Sequence, residues 1–273
     1  MTQQTWQSTA APTGAIRVRA RVGSRVVAAV ASRPGDDLRV IDDVRAMDPR
    51  PTGETVRWHD AELLSPVLPN TIVAFAKNYS AHAEEMGVTP PAEPVFFLKP
   101  SSAVIGPGAA IELPSASEMV HHEAELAVVI GRTARDVTRE QVPDVILGFT
   151  CANDVSARDL QARDGQWGRA KGFDTFCPLG PWVVDLPGLA TGAAQVRVGA
   201  RVNGSIRQDG STADLSYDVA ALVAWTSSVL TLSPGDVILT GTPAGVGPIE
   251  PGDEVSVSIE GIGTLTNEVT RRG

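Results

Sequence analysis

Residues 123–130 read Glu-Ala-Glu-Leu-Ala-Val-Val-Ile, and no other stretch constrains the fold of this chain as tightly. Its length and its β-branched residues predict a strand. Alternate side chains of a strand share a face. Glu123 and Glu125 therefore point the same way, while Ala124, Leu126, Val128 and Ile130 form an opposite, core-facing side. The acidic face itself turns apolar at Ala127 and Val129, which leaves the carboxylates at the mouth of the strand. An ionised carboxylate taken out of water without a partner is costly. Two arrangements relieve that cost: a solvated strand end, or a divalent cation shared by the pair. Oxygen-only donors suit Mg²⁺, Mn²⁺ or Ca²⁺, whereas zinc would favour His or Cys. His121 and His122 are adjacent and point to opposite faces, so at most one could join a metal.

Around this run the chain alternates short β-like segments with turns. Gly 26 and Pro 20 are high for a helical protein, and 42% apolar residues suffice for a sizeable core in 273 residues. Residues 15–31 predict a β-hairpin with Gly23-Ser24 at its turn. Residues 32–65 are polar and punctuated by prolines, with a short helix expected near 42–47. Further strands are expected at 71–76, 95–98, 103–105, 110–113, 145–152, 182–184, 195–202, 236–240, 254–259 and 265–269. Helices are expected at 79–86, closed by Gly87, and at 156–163 and 217–230. Many strands with few helices between them predict an α+β, mostly β fold rather than a doubly wound sheet. The division expected is a small N-terminal domain over 1–68, with 1–14 a frayed tail, and a main domain over 69–273.

Charge and composition exclude several functions. The net charge is −9 with no long basic run, so nucleic acid and anionic membranes are poor partners. No apolar stretch approaches the roughly 18 residues that span a bilayer. The start carries no apolar signal core. Cys151 and Cys177 form no Cys-x-x-Cys pair and read as reduced thiols of a cytoplasmic protein. The Gly-rich run 241–247 follows a strand but lacks the Gly-Lys-Ser/Thr of a phosphate loop and leads into no helix, so a nucleotide site is disfavoured.

Other residues carry potential chemistry. Asp154 ends the apolar run 145–152, where it serves either as a turn residue or as a ligand. Ser156 and Asp159 have the spacing of a capping box. Arg158 and Gln161 share a helix face and suit a substrate carboxylate or an ordinary surface pair. Lys171 precedes a glycine and could polarise a carbonyl. His82 and Glu85 are three apart on a predicted helix, the spacing of an imidazole base steadied by a carboxylate. Thr242 stands in a turn tight enough to approach a small ligand.

In order along the chain, these segments resemble the fumarylacetoacetate hydrolase family. The carrying pieces are Ala76-Lys77-Asn78-Tyr79 with His82, Phe97-Leu98-Lys99-Pro100-Ser101, and the 123–130 run closed by Gly131. They continue with Asn153-Asp154-Val155-Ser156-Ala157-Arg158-Asp159-Leu160-Gln161 and Lys171-Gly172-Phe173-Asp174. Val202-Asn203-Gly204, Pro234-Gly235-Asp236 and Thr240-Gly241-Thr242-Pro243 complete the set. The resemblance implies a rolled, mixed and largely antiparallel β-structure and a homodimer. It implies that Glu123, Glu125 and Asp154 hold Mg²⁺ or Mn²⁺, with Ca²⁺ able to substitute in a crystal. It implies a lid dyad at His82 and Glu85, catalysis by Lys171, and substrate contacts from Lys99, Arg158, Gln161 and Thr242. One departure is Ala76-Lys77-Asn78, where relatives often have Gly-Arg-Asn.

The activity implied is metal-dependent cleavage of a C–C bond in a 2-oxo acid, acylpyruvate-like or oxaloacetate-like. Hydrolysis or decarboxylation would proceed through an enolate stabilised by metal and Lys171. A second expectation is the isomerase/decarboxylase activity of aromatic catabolism, on an unsaturated dicarboxylate such as 2-hydroxyhepta-2,4-diene-1,7-dioate. A third, of another class, is a metal-binding pseudoenzyme that holds a small acid without turning it over.

Overall fold

The computed structural model describes Pro12, residues 14–79 and residues 92–272. Among these, twelve strands join one mixed sheet. Its path runs Pro51–Val56, Leu38–Ile41, Arg25–Ala31, Ile16–Val22, Cys177–Val184, Ile146–Asn153, Ala124–Ile130, Val237–Leu239, Ile72–Ala76 and Val95–Lys99. Glu62–Leu64 and Val104–Ile105 attach beside this path. Most neighbours are antiparallel, while Val237–Leu239 runs parallel to Ile72–Ala76. A five-stranded sheet, ordered Ser205–Ser211, Arg197–Val202, Glu254–Ile259, Gly263–Arg271 and Ile111–Leu113, packs against it. A small sheet brings together Ser156–Ala157, Val120–His122 and Gly247–Pro248. This is the mostly β, α+β architecture expected.

The strand Ala124–Ile130 sits at the centre and is buried throughout. Leu126, Val128 and Ile130 enter one core, with Val198, Val257 and Ile259 of the five-stranded sheet and Leu222 and Val223 of the helix Val219–Val229. Ala127 and Val129 enter a second core on the other side, with Ile72, Leu179 and Leu239. Each such valine, leucine or isoleucine side chain contributes about 1.5–3 kcal/mol of burial. Glu123 and Glu125 break this apolar pattern only at the strand's first end. A third core, including Leu160, Ala170 and Phe176, lies under the helices Arg158–Asp164 and Gly168–Gly172 and fixes both against the sheets.

The hairpin Ile16–Val22/Arg25–Ala31 forms as its alternation predicts, turning at Gly23 with φ +58°. It joins the central sheet by antiparallel pairing of Ile16 with Val184. The helix expected near 42–47 does not form. Asp42 Oδ1 accepts from the backbone N–H groups of Asp43 and Arg50, and Asp43 Oδ1 accepts from that of Arg45. Short acidic side chains that bind the nearby backbone compete with helix in this way. Arg17 then donates to the Ala46 and Met47 carbonyls and holds the turn against the hairpin. The segment 32–65 carries three strands, Leu38–Ile41, Pro51–Val56 and Glu62–Leu64, which its polarity concealed.

The expected capping box is also absent. Ser156 lies in a strand paired with His121 and its hydroxyl donates to the Asp154 carbonyl. Asp159 instead accepts from the Ser117 hydroxyl, and the helix starts one residue later than its capping pattern implied, at Arg158 with Ala157 as its N-cap. The expected helix 79–86 lies almost wholly outside the described residues. No helix among those described is long and apolar enough to cross a membrane.

Gly245 shows how closely the two layers meet. Its φ is +96°, and a Cβ there would lie 2.1 Å from the Arg207 carbonyl oxygen. Gly245→Ala should therefore destabilise the protein by about 2 kcal/mol or more. Thermal or urea melting checks this; an unchanged midpoint contradicts the close approach.

Candidate active site

The central strand delivers Glu123 and Glu125 to one end of the sheet, and its neighbour Ile146–Asn153 delivers Asp154 to the same end. The register Ala124↔Asn153 makes this meeting geometric, because it sets the two chain ends side by side. The Asp154 N–H donates to the Glu123 carbonyl, and Asn153 Oδ1 accepts from the Glu123 N–H. One carboxylate oxygen from each of Glu123, Glu125 and Asp154 lies within 4.8 Å of the others, and all three residues are buried.

Cations surround the carboxylates. Lys171 Nζ lies 2.8 Å from Glu123 Oε2 and 2.6 Å from Asp154 Oδ2. Lys99 Nζ lies 2.6 Å from Asp154 Oδ1 and donates to the Lys171 carbonyl. Arg158 Nη2 lies 2.5 Å from Glu123 Oε1, and its Nη1 donates to Gln161 Oε1 at 2.9 Å. Glu125 receives the Gly241 N–H at 2.6 Å and no cation among the described contacts.

The electrostatics follow from this inequality. Burial raises the Glu125 pKa well above the usual carboxylate value, and Asp154 and Glu123 push it further; Lys171 and the Gly241 N–H only partly oppose them. Burial also acts to neutralise Lys171, but the fields of Asp154 and Glu123 outweigh it and raise its pKa, so it stays charged. Burial, with Arg158 and His122 beside it, lowers His121 to about 4.

These residues form the floor of a cleft of about 460 Å³, part of it open to solvent. Phe97 and Trp167 form one wall in edge-to-face contact, with the Phe97 ring 5.1 Å from Lys171 Nζ. Arg158, Gln161, Lys171 and Thr242 all line the cleft. Lys99 does not; it stands behind the wall, holding Asp154. Lys77 also lines the cleft, with φ 57°, a left-handed conformation unusual for a non-glycine residue. His82 and Glu85 lie outside the described residues. Neither His121 nor His122 belongs to the carboxylate group.

Two positions escaped the sequence reading. Asn78 Nδ2 donates to the Thr240 and Tyr217 carbonyls while its Oδ1 accepts from the Tyr217 N–H, which anchors the Thr240–Gly241 turn. Gln208 reaches the same turn from the five-stranded sheet. A buried amide in the motif around Asn78 was a possible signal for the first. Gln208 sits in a polar strand and had none.

The residues present fit a divalent cation. Three convergent carboxylates supply hard oxygen donors, and the ionised form of Glu125 is poorly compensated by its direct contacts.

Comparison with known proteins supports this family of sites. The sequence profile of the fumarylacetoacetate (FAA) hydrolase C-terminal family matches residues 71–270. The chain is 54% identical over 223 residues to protein Rv2993c of Mycobacterium tuberculosis, covering 81% of this chain and 83% of that one. It is 41% identical to the mitochondrial oxaloacetate decarboxylase of Dictyostelium discoideum, covering 71% and 90%. Its fold matches the crystal structure of 5-carboxymethyl-2-hydroxymuconate delta-isomerase from Mycobacterium smegmatis with a TM-score of 0.86, at 48% identity and 94% and 100% coverage. It matches fumarylpyruvate hydrolase from Pseudomonas aeruginosa, in complex with Mn²⁺ and pyruvate, with a TM-score of 0.68, at 33% identity and 77% and 92% coverage.

The raised Glu125 pKa makes a stability prediction. An acid whose folded pKa is raised loses stability as pH rises from its unfolded value through its folded one. At neutral pH the metal-free protein therefore carries that cost, and Glu125→Gln removes it while keeping an acceptor for Gly241. The variant should melt about 2–4 °C higher than metal-free wild type, the shift of about 1 kcal/mol in a domain this size. Mn²⁺ should raise the wild-type melting temperature but not the variant's. Equal Mn²⁺ stabilisation of both would remove Glu125 from the metal site.

Proposed function

This chain belongs to the fumarylacetoacetate hydrolase family, and on that footing we propose that it is a Mg²⁺- or Mn²⁺-dependent enzyme acting on dianionic 2-oxo acids of the oxaloacetate class. The reaction proposed is formation and collapse of an enolate, by keto–enol proton shift or decarboxylation.

The observation that carries this reading is the charge of the cleft floor. Glu123, Glu125 and Asp154 count −3, while Lys99, Lys171 and Arg158 count +3. A divalent ion would bring the sum to +2, which matches a dicarboxylate. The three carboxylates alone with the ion would have given −1, so the lysines and arginine decide the preference. When bound, the ion supplies Lewis-acid polarisation of the 2-oxo group. Glu123, Glu125 and Asp154 would hold it.

The remaining steps fall to the chain's own residues. Lys171 stays protonated beside Glu123 and Asp154 and places positive charge where an enolate oxygen develops. Arg158, steadied by Gln161, offers a second cation to a substrate carboxylate. Lys99, behind the wall, fixes Asp154 rather than touching substrate. Phe97 and Trp167 exclude water from one side, which strengthens each of these interactions. In a hydrolytic reaction His82 and Glu85 would activate water; decarboxylation and proton shift need no such attack. The oxaloacetate decarboxylase and the muconate delta-isomerase among the relatives act, by their names, on acids of this kind.

The Mn²⁺- or Mg²⁺-loaded protein should be assayed with oxaloacetate, acetylpyruvate, fumarylpyruvate and 2-hydroxyhepta-2,4-diene-1,7-dioate. Turnover should be highest for oxaloacetate, read as loss of enol absorbance and release of pyruvate. Oxalate, a mimic of the enolate, should inhibit. Binding of oxalate without turnover of any substrate would instead support the pseudoenzyme. Lys171→Met should bind Mn²⁺ at least as tightly, because its ammonium no longer competes for Glu123 and Asp154. Its turnover should nevertheless fall about 10²–10³-fold, the usual loss of one such charge. Undiminished turnover in that variant would exclude Lys171 from the chemistry.

A further inference from the structure

Gln208 lies on the strand Ser205–Ser211, in the five-stranded sheet, yet it is buried and aimed at the cleft-lining turn. Its hydrogen bonds leave no freedom in assignment. Oε1 accepts from the Ala124 N–H at 2.9 Å, and a backbone N–H can only donate, so the oxygen is identified. Nε2 must then donate both its hydrogens, to Thr242 Oγ1 at 2.7 Å and to the Pro243 carbonyl at 2.8 Å. His122 Nδ1 faces the same Oε1 at 3.1 Å and must therefore carry the proton. All four hydrogen-bonding positions of the amide are used.

The consequence reaches Thr242. Its hydroxyl has one hydrogen, and that hydrogen goes to the Ala124 carbonyl at 2.8 Å. One lone pair receives Gln208. Only a lone pair remains for the cleft that Thr242 lines. We infer that Gln208 is a positioning residue, which locks the Thr242 hydroxyl as an obligate acceptor and so favours a ligand presenting an O–H, the enol hydroxyl of a 2-oxo acid. This inference rests on the reaction proposed above. A free threonine rotor would serve donor and acceptor alike; this one discriminates between enol and keto oxygen.

The local packing supports a fixed arrangement rather than an incidental contact. A Cβ at Gly210 would lie 2.5 Å from the Pro243 side chain, and one at Gly245 would strike the Arg207 backbone. The strand and the turn are thus pressed together on both sides of Gln208. Ala124, the other end of the network, stands between Glu123 and Glu125, so the same amide also steadies the carboxylate-bearing strand.

Gln208→Glu separates these roles. A carboxylate keeps the acceptors for Ala124 and His122 but can donate neither to Thr242 nor to the Pro243 carbonyl. With the Mg²⁺-loaded protein, kcat/KM for ketonisation of enol-oxaloacetate should fall at least about ten-fold, the worth of the Thr242 hydrogen bond alone. Mg²⁺ affinity should stay within about three-fold, as the strand remains held. Thr242→Val should lose a similar factor, Thr242→Ser should retain most activity, and Gln208→Glu should add little on the Thr242→Val background. Losses that multiply in the double variant, or a Gln208→Glu enzyme equal to wild type, would overturn the positioning role and leave the assigned reaction standing. A wild type inert toward oxaloacetate overturns that reaction and the enol as the partner of Thr242. Long-range nitrogen–proton NMR of the imidazoles needs no turnover: it should find His122 protonated at Nδ1 in wild type and in Gln208→Glu. Protonation at Nε2 overturns the network itself.

Discussion

A buried ammonium shared by two buried carboxylates is the interaction on which this site depends. Lys171 Nζ stands within 2.8 Å of Glu123 and 2.6 Å of Asp154, with almost no exposure to solvent on either side. Neither partner could be ionised there alone. The acids come from two adjacent strands of the central sheet, and the base from a short helix packed over a separate core. The pairing therefore ties the layers together at the point where the apolar pattern of the sheet breaks. Among the described residues Glu125 accepts only the Gly241 N–H, so its ionised form is the least compensated of the three and gains most from an added cation.

The same balance gives the cleft its direction. The formal charges of the six side chains sum to zero, so a divalent ion bound there would set the sign that an incoming ligand meets. The aromatic pair Phe97 and Trp167 makes one wall apolar, and the turn around Gly241 presents backbone rather than side chain to Glu125. Asn78, in the loop beyond the strand Ile72–Ala76, and Gln208, on the strand Ser205–Ser211, hold that turn from two directions. Its precision comes from supports that lie well outside the cleft.

Much of this was legible in the sequence. The period-two pattern of 123–130 placed the glutamates on one face, and both apolar sets found their own core. The hairpin at 16–31 was readable because it alternates and turns at glycine. Asp154 could not be paired with the glutamates by pattern, since strand register makes that contact; the family resemblance supplied it. Lys99 sat in a recognisable motif, yet only packing shows it behind Asp154 rather than in the cleft. Gln208 was invisible because Ser205–Ser211 is a polar edge strand whose buried position is set by the turn it meets. The helix expected at 42–47 failed where aspartate side chains captured the backbone.

The central claim is that Glu123, Glu125 and Asp154 together bind one divalent ion in competition with Lys171. Diffraction from crystals soaked in Mn²⁺, collected at the manganese absorption edge, tests it most directly. The account predicts a single anomalous peak bonded to one oxygen of each carboxylate, with Lys171 drawn back from at least one of them. Crystals that show no peak there, with Lys171 still bridging Glu123 and Asp154, would contradict it.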